Sequence, residues 1–234
     1  MFSTERDFII EKKSRSESSK DYVYRMLFKN IVFCRMLPGE SISENTISEI
    51  FSVSRTPVRE SVLKLAADEL IYVYPQKGTY VSYINMDRIR ESTFMRVLLE
   101  TEALKLACRA FKGDEIFSLK SNLERQVFCY RNNNLTEVLE LDNRFHGMIF
   151  EFNSLSRVWK ALQGISAEQY RIRYLKLMDN WRWNETIEEH QMLIQDIQSG
   201  NGEKAALDIK SHINKIFDDA NFLEQKHKTF FEHD

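Results

Sequence analysis

Asp142 and His146 stand four residues apart in the run LDNRFH, so a helix there would present a carboxylate and an imidazole on one face. Further along, His190 and His212 flank the breaker run Ser199-Gly200-Asn201-Gly202, each eleven residues from Asn201. If the flanking segments fold back as a helical hairpin, both histidines lie about 16 Å from the turn, at about 1.5 Å per residue, and are level with each other. One carboxylate and three imidazoles suit a borderline divalent cation: zinc or nickel foremost, then manganese or iron, with open positions for water or a ligand carboxylate. The plainer reading makes each histidine a surface or satisfied residue and the Asp142/His146 spacing a coincidence. Spacing alone leaves both open.

A second set has different chemistry. The run VSRTPVRE at 53–60 has Ser54 as an N-cap, expected to accept a backbone N–H of the first turn, and Pro57 inside that turn. Arg55 and Arg59 share a face with Thr56 beside them, while Val58, Val62 and Leu65 line the opposite side. Arginines and a threonine at a helix N-terminus suit base edges and phosphates in a DNA major groove; the alternative is an ordinary amphipathic surface helix.

The surrounding pattern supplies the elements that would hold this helix. Tyr22, Met26, Leu27, Ile31 and Val32 form a helical stripe ended by Pro38-Gly39, and a short helix follows with Ser43 as its cap and Ile47, Ile50 and Phe51 facing inward. The runs Ile71-Tyr72-Val73-Tyr74 and Thr79-Tyr80-Val81-Ser82-Tyr83 around Pro75-Gln76-Lys77-Gly78 predict a β-hairpin, a wing with Lys77 and Gly78 at its tip. Beyond Tyr83 there is no proline, and helices are expected at 85–112, 114–132, 135–153, 155–179, 184–199 and 202–227.

On the Pro38-Gly39-Glu40 turn, the VSRTPVRE run and the Lys77-Gly78-Thr79 wing, residues 20–84 resemble the winged-helix domain of the GntR superfamily of bacterial transcription regulators. The resemblance implies operator contacts from Arg55, Thr56 and Arg59, with Ser54 at the helix start and Lys77 and Gly78 on the wing. Glu69 departs from the family, which commonly has glycine before the strand, and Asn45 stands where some relatives carry a phosphate-contacting arginine. The later residues resemble the FCD domain of FadR-type members through Arg96-Val97-Leu98-Leu99-Glu100, Asp142-x-x-x-His146, His190 and His212, with six helices as in the VanR-like subgroup. That likeness implies that Asp142, His146, His190 and His212 hold a divalent metal facing a cavity for a small organic acid. Arg96 is then the candidate for a second carboxylate contact, Arg171 and Arg173 being weaker ones. An Arg96–Glu100 surface pair is the competing reading for the first. Trp159, Trp181 and Trp183 read as packing or interface residues.

The expected architecture is therefore mainly α: a flexible N-terminal arm over 1–19, a winged helix-turn-helix over 20–84, and an all-α antiparallel bundle over 85–234. The expected function is a metabolite-responsive repressor, homodimeric on a palindromic operator. A metal that only clamps the bundle is the alternative. A helical metallohydrolase is disfavoured, since HExxH is missing and Glu188 and Glu189 are not spaced to aim with His190. The net charge of −2 is not that of a generic polyanion binder; residues 1–84 carry 12 Lys and Arg against 11 Asp and Glu, so DNA affinity has to come from charge placement. Three widely spaced cysteines point to free thiols in a bacterial cytoplasm, and no run suits a membrane span.

Overall fold

Helix α1 (Ser19–Val32) begins at Ser18, whose hydroxyl accepts the Asp21 N–H, and buries Tyr22, Val23, Met26, Leu27 and Ile31. A computed structural model describes this chain over residues 8–233. After the turn at Gly39 come β1 (Ser41–Ile42) and α2 (Glu44–Ile50), capped by Ser43 as expected. Helix α3 (Arg55–Ala67) packs Val58, Val62 and Leu65 inward against α1. Strands β2 (Ile71–Tyr74) and β3 (Gly78–Val81) pair antiparallel with Tyr72 opposite Tyr80 and Tyr74 opposite Gly78, and β1 adds to β3, giving the order β1-β3-β2. The two-residue β1 has no sequence signal of its own.

Three expectations for this unit need correction. Ser54 occupies the N-cap position of α3 with extended backbone, but its side chain caps nothing. An N-cap oxygen accepts from the second or third helical N–H, and the third residue here is Pro57, which has none to give. The arm is not free over residues 8–18. Asn30 accepts the Ile9 N–H at 2.8 Å and donates to the Ile9 carbonyl at 3.0 Å, while Glu11 and Glu17 pair with Arg25 and Lys29 of α1. The charges that read as solvated complement the α1 face, and the rest of the expected arm, 1–7, lies outside the described residues. At the other end, residues 227–233 cluster with the N-terminal unit and not with the bundle. Phe230 and Phe231 are buried there, and Ile84 exchanges backbone hydrogen bonds with this tail at 2.8 and 2.9 Å.

The second unit, Met86–Lys226, is helical throughout. It comprises α4 (Met86–Ala110), α5 (Gly113–Arg131), α6 (Leu135–Phe152), α7 (Ser156–Gln163), α8 (Ala167–Met178), α9 (Trp183–Ser199), α10 (Gly202–Asn214) and α11 (Ile216–Lys226). Two expected long helices are each interrupted. The break after Gln163 follows from Gly164 and from Ser166, whose hydroxyl donates back to the Leu162 carbonyl at 2.7 Å and competes with the helix ladder. The break at Lys215 has no sequence breaker. Helix α4 packs on α10, α5 on α6 and α9, and α8 on α11, around a core that includes Leu104, Phe145, Leu193 and Ile209. The α9–α10 turn is as expected, with Gly200 at φ 70° and the Asn201 side chain accepting the Lys204 N–H. Cys34, Cys108 and Cys129 are all free thiols.

Candidate metal centre and nucleic-acid surface

Three helices deliver the imidazoles to one point. Helix α6 carries Asp142 and His146 one turn apart, α9 carries His190, and α10 carries His212. Ring centroids are 5.3 Å apart for His146–His190 and for His146–His212, and 5.0 Å for His190–His212, so the two hairpin histidines are level. The Nε2 atoms of His146 and His212 are 3.4 Å apart, and Asp142 Oδ1 lies 3.6 Å from His190 Nε2. One nitrogen from each ring falls within 4.8 Å of the others.

Each outward nitrogen lies close to a side-chain oxygen. His146 Nδ1 is 2.6 Å from Glu100 Oε2, His212 Nδ1 is 2.7 Å from Glu189 Oε2, and His190 Nδ1 is 3.2 Å from Gln126 Oε1. A ring that donates Nδ1–H to such an acceptor presents a bare Nε2 lone pair on its other side, the arrangement that orients metal ligands. Burial lowers the pKa of His146 and lowers that of His190 further, with the neighbouring His212 adding to the second shift, so both rings favour the neutral, ligating form. Burial opposes ionisation of Asp142, but Arg173 and the histidines outweigh it and hold the carboxyl well below its usual range. His190 Nε2 and Asp142 Oδ1 are buried without a hydrogen-bond partner. Converging lone pairs beside an unpartnered carboxylate oxygen fit a divalent cation, and this donor set suits any of the four metals named above.

The effector candidates separate. Arg96 is only 4 % exposed. It pairs through Nε with Glu100 and donates from Nη1 to Gln169 Oε1 at 2.7 Å, while Nη2 is buried without a partner. The Arg96–Glu100 pair therefore exists, but inside the bundle and not on its surface. Arg173 pairs with Asp142 and, like Arg96, lines a cavity of about 30 Å³ beside the histidines. Arg171 does not reach it. Two residues from Arg173 on one helix, it faces the other way and meets Glu168 at 3.2 Å. The cavity is also lined by Lys176, Trp183, Thr186, Glu189, Lys215 and Asp219, none of them foreseen as site residues. Trp183 in particular is a cavity residue; it lies at the start of α9, upstream of His190.

In the N-terminal unit, Ser54, Arg55, Thr56 and Arg59 are exposed at the first turns of α3, and Lys77 and Gly78 are exposed at the wing tip. Gly78 has φ 123° and closes the turn after Gln76. Glu69, in the family's glycine position, itself takes the left-handed conformation at φ 58°. Among the described residues, no helix is long and apolar enough to cross a membrane.

Comparison with known proteins agrees with this division. Residues 20–81 match the model for bacterial regulatory proteins of the gntR family, and residues 91–215 match the FCD domain. The chain is 28 % identical over 209 residues to the HTH-type transcriptional repressor RspR of Escherichia coli K12, covering 89 % of this chain and 92 % of that protein. It is 28 % identical over 188 residues to the gluconate operon transcriptional repressor of Bacillus subtilis 168, covering 77 % and 74 %. Among solved structures, E. coli McbR/YncC superposes with a TM-score of 0.76 at 17 % identity, over 90 % of this chain and all of that one. A GntR regulator from Rhodococcus sp. RHA1 gives 0.72 at 21 %, over 87 % and 97 %.

Proposed function

This chain belongs to the GntR family of DNA-binding transcription regulators with an FCD domain and is not an enzyme, and on that footing we propose that it is a metal-dependent repressor released or engaged by a small organic acid. The observation that carries the reading is the convergence of three imidazoles, each with a polar oxygen within 3.2 Å of its Nδ1, beside a buried Asp142 oxygen that has no hydrogen-bond partner. Asp142, His146, His190 and His212 would hold the cation, which would supply a seat for a ligand carboxylate. Arg96 Nη2, buried and unsatisfied beside that seat, is the second carboxylate contact, and Arg173 fixes Asp142. Ser54, Arg55, Thr56 and Arg59 would meet operator DNA in the major groove, with Lys77 and Gly78 on the wing. A homodimer would read a palindromic operator in the bacterial cytoplasm. The acid can act only by binding one arrangement of the DNA heads more tightly than another.

The test is metal analysis of the purified protein. The wild type is expected to carry one divalent ion per chain and His190→Ala to lose it; full retention in the variant removes His190 from the ligand set. Thermal melting with short organic acids, with and without chelator, then separates an effector site from a structural clamp, which the metal alone would stabilise.

A further inference from the structure

The cavity beside the histidines is also lined by Trp183, Lys176, Thr186 and Asp219, with Lys176 against the other three, and we propose that this end reads a hydroxyl group, so that the effector is a short hydroxy acid and not a plain carboxylate or a diacid. The inference rests on the carboxylate seat proposed above and adds what the rest of the ligand must carry.

Trp183 lines the cavity, is 1 % exposed, and has an indole N–H that is buried with no acceptor. A buried donor left unmatched is costly, and few such groups survive in folded proteins without water or a ligand to satisfy them. Trp183 calls for an oxygen. The neighbouring charges decide which kind. Lys176 Nζ lies 2.8 Å from Asp219 Oδ2 and 3.3 Å from Thr186 Oγ1, so its charge is already balanced. Lys215 is likewise paired with Glu189. A second ligand carboxylate would therefore meet two fixed carboxylates, and each cation at this end already has its counter-ion. A hydroxyl is neutral and can both accept from the Trp183 N–H and donate to Asp219. Size narrows the class further. A cavity of about 30 Å³ favours short acids over extended chains.

Calorimetric titration of the full-length, zinc-loaded protein with propionate, 2-hydroxypropionate, 3-hydroxypropionate and malonate tests this. One hydroxy acid should bind at least about tenfold more tightly than propionate or malonate, the scale of one good buried hydrogen bond. Trp183→Phe keeps the ring and removes only the donor. It should bring that ratio close to one while zinc content stays unchanged. In the unaltered protein, the indole N–H resonance of Trp183 should move on adding the hydroxy acid and stay in place with propionate, a readout independent of the variant's folding. The proposal is overturned if wild type binds propionate as well as both hydroxy acids, if malonate binds most tightly, or if Trp183→Phe keeps the discrimination. In those cases the carboxylate seat stands. If zinc binds but no acid does, the seat fails and the hydroxyl subsite fails with it.

Discussion

Glu100 does two things at once: one carboxylate oxygen meets His146 Nδ1 and the other meets Arg96 Nε. Burial opposes its ionisation, but Arg96 and His146 prevail and hold its pKa well below the usual range. Replacing it with Gln removes the charge beside His146 Nδ1 and leaves Arg96 buried without its counter-ion. Glu100→Gln should weaken metal binding by about 10- to 100-fold, as loss of an outer partner does elsewhere. Competition against a chelator of known affinity measures this, and an unchanged constant would mean that His146 is not a ligand. On the DNA side, Arg59→Ala should cost about 1–3 kcal/mol of operator affinity if the guanidinium reads a base. Fluorescence anisotropy at fixed salt, on operator and on scrambled duplex, checks it; an equal loss on both would assign Arg59 to phosphate. Asp142, His146, His190 and His212 could be nominated from local geometry, a helical turn or a hairpin, and the resemblance to the FCD domain, not spacing, singled them out as a set. Glu100, Gln126 and Trp183 could not, since they come from other helices or another turn, and no spacing rule ties them to the histidines.

Element boundaries were readable where a residue with a strong backbone preference marks them, and Glu69 shows the limit of that rule. The loop from α3 to β2 needs a left-handed residue, glycine would supply one without strain, and this chain uses a glutamate at φ 58° instead. An L-residue with a Cβ pays roughly 1–2 kcal/mol for that conformation. Glu69→Gly should therefore raise the stability of the N-terminal unit by roughly 1 kcal/mol, after allowing for glycine's extra freedom in the unfolded chain. Urea unfolding should show a higher midpoint with an unchanged slope; a lower midpoint would mean that contacts of the Glu69 side chain outweigh the backbone strain. The turn at Gly200-Asn201 was legible for the same reason that the break at Lys215 was not. Lys215 keeps right-handed helical angles, so no glycine or proline marks the interruption, and its side chain is drawn to Glu189 beside the histidines. That break depends on tertiary contacts, which local pattern does not encode.

At the scale of the whole chain, the sequence pattern assigns every residue after the wing to the bundle, because an unbroken helical pattern has no feature to show where its last turn belongs. The chain in fact passes between the two units twice, once after Asn85 and again after Lys226. The second passage matters for the proposed response. Ile216 and Asp219, in the first turn of α11, line the cavity, and residues 227–233 of the same chain, beyond α11, form part of the DNA-binding unit. Within that unit, Phe231 is 2 % exposed and lies in a parallel bridge with Ile84, whose N–H donates to the Phe230 carbonyl. Removing a buried phenyl ring costs about 3–5 kcal/mol, a large share of what a unit of this size has to spare. Phe231→Ala should therefore destabilise the winged helix selectively. The Ile84 amide should lose its protection in hydrogen exchange and operator affinity should fall, while metal content stays at the wild-type level, since no proposed ligand lies in the altered unit. If Ile84 stays protected in the variant, the tail is not holding that strand, and effector signals would have to pass by the first connection alone.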